Sequence, residues 1–261
     1  FGSIRVLGHL KVEGTKEKPI YITSIFDDTV GGDTNGDGGA TTPAPKNWNA
    51  IYLENGSTAD FDHTIIRYGG YNYNGEYLPG VAALFYDRGS NLQMTNSILS
   101  NNFGAAIFKD AGTANISRSE IANNSWGILS RGGTIKIENS SIHGQTSEGI
   151  LNQSGPQIDA RNNWWGDPSG PKDHNIINPP GLGDIISGYV LYTPFLTSDP
   201  LLAPDLPDPV GKHHEREDGV QQERERALAR LDGQHGAQRV EPPDQCRTLA
   251  PIEARPERVR T

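Results

Sequence analysis

An all-β solenoid, built of coils about 22 residues long whose strands stack in parallel, is the fold this sequence predicts. Three observations predict it: a repeat marked by glycines, apolar columns of period two inside each repeat, and asparagine pairs at a fixed place in successive repeats.

The repeat emerges when the chain is aligned on glycine. LFYDRG ends at Gly89, IFKDAG at Gly112, ILSRGG at Gly133 and ILNQSG at Gly155. IYLENG, ending at Gly56, joins the series if an 11-residue insertion is allowed around Gly70–Gly80. A second strand follows each turn, in DFDHTIIRYGG, LQMTNSILSNN, ANISRSEIANN and IKIENSSIHGQ. Phe61, Met94, Ile116 and Ile137 then fall in one column, and Ile66, Leu99, Ile121 and Ile142 in another. A 22-residue unit cannot bury such a face alone. Coiling the chain so that each unit sits on the last buries the columns in one stack, with parallel strands about 4.8 Å apart. Asn101-Asn102 and Asn123-Asn124 would share a corner of the coil, where amides can hydrogen-bond from coil to coil and left-handed backbone is tolerated.

The motif RNNWWGDPSGP (161–171) places Trp164 and Trp165 where the next core residues are due. The expectation is that an indole lies over the last coil, that Pro168, Gly170 and Pro171 stop it, and that YVLYTPFL (189–196) closes as a final strand. Stacking on sugar rings is the alternative use for this tryptophan pair.

These repeats, the corner asparagines and NNWWGDPSGP resemble bacterial right-handed parallel β-helix proteins of the pectate-lyase-like superfamily. KVEGTKEKPIYITS, DDTVGGDTNGDG and WNAIYLENGSTADFDHTIIRYGG resemble the same secreted and cell-surface group. The resemblance covers about residues 1–200 and implies a right-handed parallel β-helix, export and a polysaccharide partner. It does not select an activity, because this fold carries lyases, hydrolases, epimerases, adhesins and scaffolds.

Composition sets further bounds. Residues 1–210 hold 13 of the 23 Lys/Arg and 22 of the 32 Asp/Glu, so the whole net charge of −9 lies there. An acidic body argues against nucleic acid, which calls for a basic stripe. No segment reaches the ~18 apolar residues that a membrane span needs. Cys246 is the one cysteine, so no internal disulfide forms. The strand-like opening FGSIRV reads as a mature form or a fragment whose start lies upstream, and the protein as a monomer or part of a longer chain. Residues 201–261 change character to a Pro-rich linker and a charged tail without aromatics, expected to be disordered or weakly helical. Out-of-frame translation of a GC-rich gene is a second origin for that tail.

Candidate chemistry falls in three places. In the glycine-aligned register Glu54, Asp87, Asp110, Arg131 and Gln153 form one column, with Arg88 and Lys109 as neighbours. Three carboxylates on successive coils would raise one another's pKa or recruit a cation. In the resembling family's terms that is a place for Ca²⁺ and an acidic sugar, with Asp87, Asp110 and Lys109 catalytic and Glu54, Arg88 and Arg131 binding substrate. The bland reading is that acids mark a turn. DTNGDG (33–38) supplies Asp33, Asn35 and Asp37 at alternating positions before Gly38, the first half of a calcium loop. Ala44 stands at the twelfth position, so this is no EF-hand, but Asp27 or Asp28 could complete a structural Ca²⁺ site. Finally, Tyr71, Tyr73 and Tyr77 in YGGYNYNGEYLPG form a possible carbohydrate platform, or else fold over the flank. A non-catalytic module recognising polysaccharide is the leading expectation. A lyase or hydrolase on acidic glycan comes second, a structural spacer or adhesin segment third.

Overall fold

A computed structural model describes residues 2–71, 83–177 and 180–202 of the chain. Tyr73 and Tyr77, and the tail from residue 203 onward, lie outside the described residues. By its internal contacts the chain divides after Pro204.

The described residues form a parallel β-helix, and each coil contributes one strand to each of three parallel sheets. The first coil holds β1 (Ile4–Val6), β2 (His9–Glu13) and β3 (Ile20–Ile22); the second holds β4 (Ile51–Leu53), β5 (Thr58–Asp62) and β6 (Thr64–Arg67). The third is β7 (Ala83–Asp87), β8 (Asn91–Thr95) and β9 (Ile98–Ser100), and the fourth β10 (Ala105–Lys109), β11 (Thr113–Ser117) and β12 (Glu120–Ala122). The fifth is β13 (Trp126–Ser130), β14 (Thr134–Glu138) and β15 (Ser141–His143). β16 (Ile150–Asn152) and β17 (Ile158–Asp159) follow, with Trp164 bridging to Ser141 in place of a third strand. β18 (Pro171–Asp173), β19 (Gly183–Ser187) and β20 (Val190–Leu191) complete the order.

Side-chain alternation puts every second residue inside. Phe61, Met94, Ile116 and Ile137 pair in one inward column, and Ile66, Leu99, Ile121 and Ile142 in another, as the periodicity predicts. A third runs Ile51, Phe85, Ile107, Ile128, Ile150 and Ile186. All of these are almost completely buried and belong to one core. Each side chain rests on its counterpart in the coils above and below, so Ile116→Ala would cost about 2–5 kcal/mol by transfer and cavity terms.

Left-handed backbone turns the chain at two corners of the coil. His63, Asn96, Arg118, Asn139 and Asn162 occupy one, at φ 46–59°. Tyr68, Asn101, Asn123 and Gly144 occupy the other, at φ 56–70°. Buried polar ladders secure both. At the first, Thr64 N–H donates to Ser97 Oγ, Ser97 N–H to Ser119 Oγ, Ser119 N–H to Ser140 Oγ and Ser140 N–H to Asn163 Oδ1. At the second, Asn102 N–H donates to Asn124 Oδ1, Asn124 N–H to Gln145 Oε1 and Gln145 N–H to Asp184 Oδ2. In a dry interior these bonds satisfy backbone donors that no strand reaches.

Two expectations change at the end of the helix. Pro168, Gly170 and Pro171 do not stop the coil: the chain runs out and back, β18 lies on the outer side of β19, and β19 pairs with β16. Trp165 is not a lid but part of the core, fully buried, with its carbonyl accepting from Asp184 N–H. The final strand of YVLYTPFL is the short β20 on β17, while Tyr192 and Phe195 pack against the core.

Length varies at one corner. β9 ends at Ser100 and β10 begins at Ala105, whereas 15 residues separate Arg67 of β6 from Ala83 of β7. The pairing of Leu53 with Asp87 and of Asp87 with Lys109 is nonetheless regular.

Candidate functional site

The expected carboxylate column is the main correction. Asp87 pairs with Leu53 on one side and Lys109 on the other, and Lys109 pairs with Ser130. Gly89 therefore stands one residue early in its coil: it has φ 143°, against 75–78° for Gly56, Gly112 and Gly133. The outward column is Glu54, Arg88, Asp110, Arg131 and Gln153, as the backbone bonds Arg88 N–H to Leu53 O and Asp110 N–H to Asp87 O require. It alternates in charge, so neighbours attract. Arg5 and Arg88 both approach Glu54, at 2.8 and 3.9 Å, and Arg131 donates to Gln153 at 3.0 Å while its guanidinium lies over Phe108. No like-charge pair exists here to perturb a pKa.

Asp87 and Lys109 point inward, in a column that runs Val6, Leu53, Asp87, Lys109, Ser130 and Asn152. Both are fully buried. Lys109 Nζ donates to Asp87 and to Ser90 O, and Asp87 also accepts from Gly89 and Ser90 N–H. Burial lowers the Lys109 pKa from its ordinary value, and Asp87 opposes that shift. A ligand outside the wall cannot touch this pair. Of the three residues expected to be catalytic, Asp110 alone is exposed.

The acidic loop keeps part of its expected geometry. Carboxylate oxygens of Asp28, Asp33 and Asp37 lie within 4.8 Å of one another. Asp33 accepts from Asp37 and Gly38 N–H, and Asp37 accepts from Gly39, Ala40 and Thr41 N–H as well as from Asn35 Nδ2. The Thr41 hydroxyl does most to hold Asp37 below the usual carboxylate range. Loss of hydration raises Asp28, and the nearby Asp33, Asp37 and Asp27 add to it; its Oδ1 is buried with no donor. Asp27 is committed elsewhere. It is 1% exposed and bound by Arg67, Thr23 and Thr29, whose hydrogen bonds outweigh the cost of burial and keep it ionised. Asp27 therefore anchors the loop to the second coil and is not an ion ligand.

The outer face of the second sheet presents a flat polar lattice. Strand pairing aligns His9, Thr58, Asn91, Thr113 and Thr134 in one column, Lys11, Asp60, Gln93, Asn115 and Lys136 in the next, and Glu13, Asp62, Thr95, Ser117 and Glu138 in the third. Charged residues populate its ends, but coils three and four contribute only neutral hydroxyls and amides. The outer face of the first sheet differs: Tyr52, Tyr86, Phe108 and Leu129 form a buried aromatic and aliphatic column, with Tyr52 and Tyr86 stacked at 5.3 Å. Tyr71, on the approach to the long corner, is half-buried.

A cleft of about 430 Å³ lies beside the last amide corner, lined by His143, Gly144–Ser147, Trp165, Gly166, Lys172 and Leu182–Ile185. Glu120 hydrogen-bonds His143 at 3.2 Å and raises its pKa against the effect of burial. Burial likewise raises Asp184, opposed by the N–H groups of Gln145 and Gly144. The sequence gave no warning of this cleft. Its residues lie on the excursion from 166 to 182, which breaks the 22-residue period that brought the other columns together.

No family model, curated protein or solved structure matches the chain. Among the described residues, no helix is long and apolar enough to cross a membrane.

Proposed function

We propose that this chain is a non-catalytic, polysaccharide-recognising β-helix module of a bacterial secreted or cell-surface protein, akin to the pectate-lyase-like superfamily, and that it carries a structural Ca²⁺ in its acidic loop. One observation carries the reading: the neutral centre of the polar lattice, formed by Asn91, Gln93, Thr95, Thr113, Asn115 and Ser117. Columns about 4.8 Å apart, and outward residues about 6.6 Å apart along each strand, offer a repeating set of donors and acceptors. An extended glycan presents hydroxyls in a comparable repeat, and a flat rigid sheet binds it without reordering its own backbone. Gln93 and Asn115 lie at the middle of the lattice, exposed. Asp28, Asp33 and Asp37 are the carboxylates that would hold the ion, Asp28 Oδ1 being the acceptor in need of a cation.

The test is a glycan screen with and without Ca²⁺, reading both binding and the absorbance of unsaturated sugars near ~235 nm, a wavelength set by the enol-ether chromophore of a lyase product. The expected result is saturable binding, at least tenfold weaker in the Gln93→Ala/Asn115→Ala variant, with flat absorbance and no new reducing ends. Rising absorbance abolished by Asp110→Ala would replace this reading with a lyase. Silence in every channel would leave a spacer or adhesin segment.

A further inference from the structure

Three amides and one acid share the buried corner ladder: Asn102, Asn124, Gln145 and then Asp184. Each amide works twice. Its oxygen accepts a backbone N–H of the coil before, and its nitrogen donates to a carbonyl: Asn102 to Ile66 O, Asn124 to Leu99 O and Gln145 to Ile121 O. Asp184 performs the first task, accepting from Gly144 and Gln145 N–H at 3.0 and 3.2 Å, but an ionised carboxylate cannot perform the second. Stability alone favours an amide there. A position that departs from the rule its own repeat obeys, on the wall of a cleft, is where function is to be sought.

The rest of the lining points to the ligand. Glu120 keeps His143 cationic further up the pH scale, and Lys172 is exposed with no carboxylate partner among the described residues. Burial pushes Asp184, the one carboxyl in the lining, toward its neutral form. Within a body of net charge −9, this cleft is thus biased toward cations. Leu182 on the rim is 77% exposed, an apolar surface beside polar groups, and Thr146 and Ser147 add hydroxyls. Beneath them Trp165 is fully buried, and its indole N–H has no acceptor. The volume falls within the range of small-molecule sites, which combine apolar walls with a few placed polar groups.

We propose that this cleft binds a carboxylate-bearing sugar unit, with Lys172 and His143 facing the carboxylate and Leu182 the apolar side of the ring. The ligand class rests on the polysaccharide reading; the location does not, because the cleft lies at the corner and not on the lattice of the second sheet. Recognition here would favour the charged sugar over its neutral counterpart.

Calorimetric titration of the full chain with galacturonic acid and with galactose tests the proposal. The expected result is saturable binding of the acid, at least tenfold weaker for galactose and for Lys172→Gln, and unchanged in Gln93→Ala/Asn115→Ala. Circular dichroism establishes that each variant is folded. Asp184→Asn keeps this site neutral and should bind the acid at least as tightly, so a loss of binding there counts against the assignment. No binding of the acid, or equal binding of galactose or by Lys172→Gln, overturns it. Failure here with polysaccharide still held by the lattice removes this site alone; binding here with the lattice silent removes the lattice reading and keeps the cleft.

Discussion

Lys109 and Asp87 meet inside the coil at 2.5 Å, both without solvent exposure, in a column that is apolar at Val6 and Leu53 and polar at Ser130 and Asn152. Breaking such a pair from one side strands a charge in a dry interior. Lys109→Met is expected to lower stability by about 3–5 kcal/mol, while Lys109→Met with Asp87→Leu recovers most of the loss. Urea midpoints of the two variants against the parent measure the difference. Equal destabilisation by both would mean that Asp87's bonds to Gly89 and Ser90, and not the ion pair, hold that turn.

Asp184 sets a pH dependence whose sign follows from its environment. Its folded pKa lies above the ordinary carboxyl value, so the folded chain binds this proton more tightly than the unfolded chain. The contribution is present at low pH and lost as pH rises through the folded pKa. Asp184→Asn supplies a permanently neutral group that can also donate. The expected outcome is a melting midpoint higher by a few degrees at pH 7, and a smaller gain at pH 4, on the scale of about 1 kcal/mol for one hydrogen bond. Scanning calorimetry at the two pH values reads it, and an equal gain at both would remove the titration argument.

The serine ladder makes a separate prediction. Ser119 Oγ accepts from Ser97 N–H and donates to Ser117 O, so Ser119→Ala leaves a buried N–H unsatisfied. A loss of about 1–3 kcal/mol is expected, well beyond the size of the deleted atom. Hydrogen exchange should show it locally, with Ser97 N–H losing protection relative to that of Leu92.

Calcium should act through the acidic loop. At a concentration about 100 times the dissociation constant, an ion bound only by the folded chain adds about 2.7 kcal/mol. Thermal melts are expected to shift upward with Ca²⁺, to return with chelator and to stay flat in Asp33→Asn/Asp37→Asn. The raised pKa of Asp28 means that protons compete for the site, so the shift should shrink as pH falls through that value. A shift that survives the double substitution would place the ion elsewhere.

The interior was legible from sequence because parallel stacking repeats one environment every coil. Phe61 through Ile137 and Ile66 through Ile142 could be aligned by eye, and the pairing of strands agrees. The outer wall was less legible because glycine proved a poor ruler. Gly112 faces Ser90, where a Cβ would lie 2.2 Å from the Ser90 carbonyl oxygen, whereas Gly89 sits a residue before that tight place. Aligning Phe85 with Ile107 gives the right register, since an inward apolar position is constrained from both neighbouring coils. The serine ladder had a signal in Ser97, Ser119 and Ser140, two residues after each second strand. Asp184 had none. It enters the amide corner from 39 residues beyond Gln145, farther than any repeat would suggest.

The long corner between β6 and β7 has a bearing on how such proteins diversify. Gly70 and Tyr71 N–H are held by Asn49 and Trp48 carbonyls on one side of the added segment, and on the other β7 rejoins both neighbouring strands in normal register. Lengthening that segment perturbs no column, and each doubling of a flexible loop costs only about 0.6 kcal/mol. The corner is thus a graft point. Recombination, or an experimenter, can exchange the passenger peptide there while the chassis keeps its pitch.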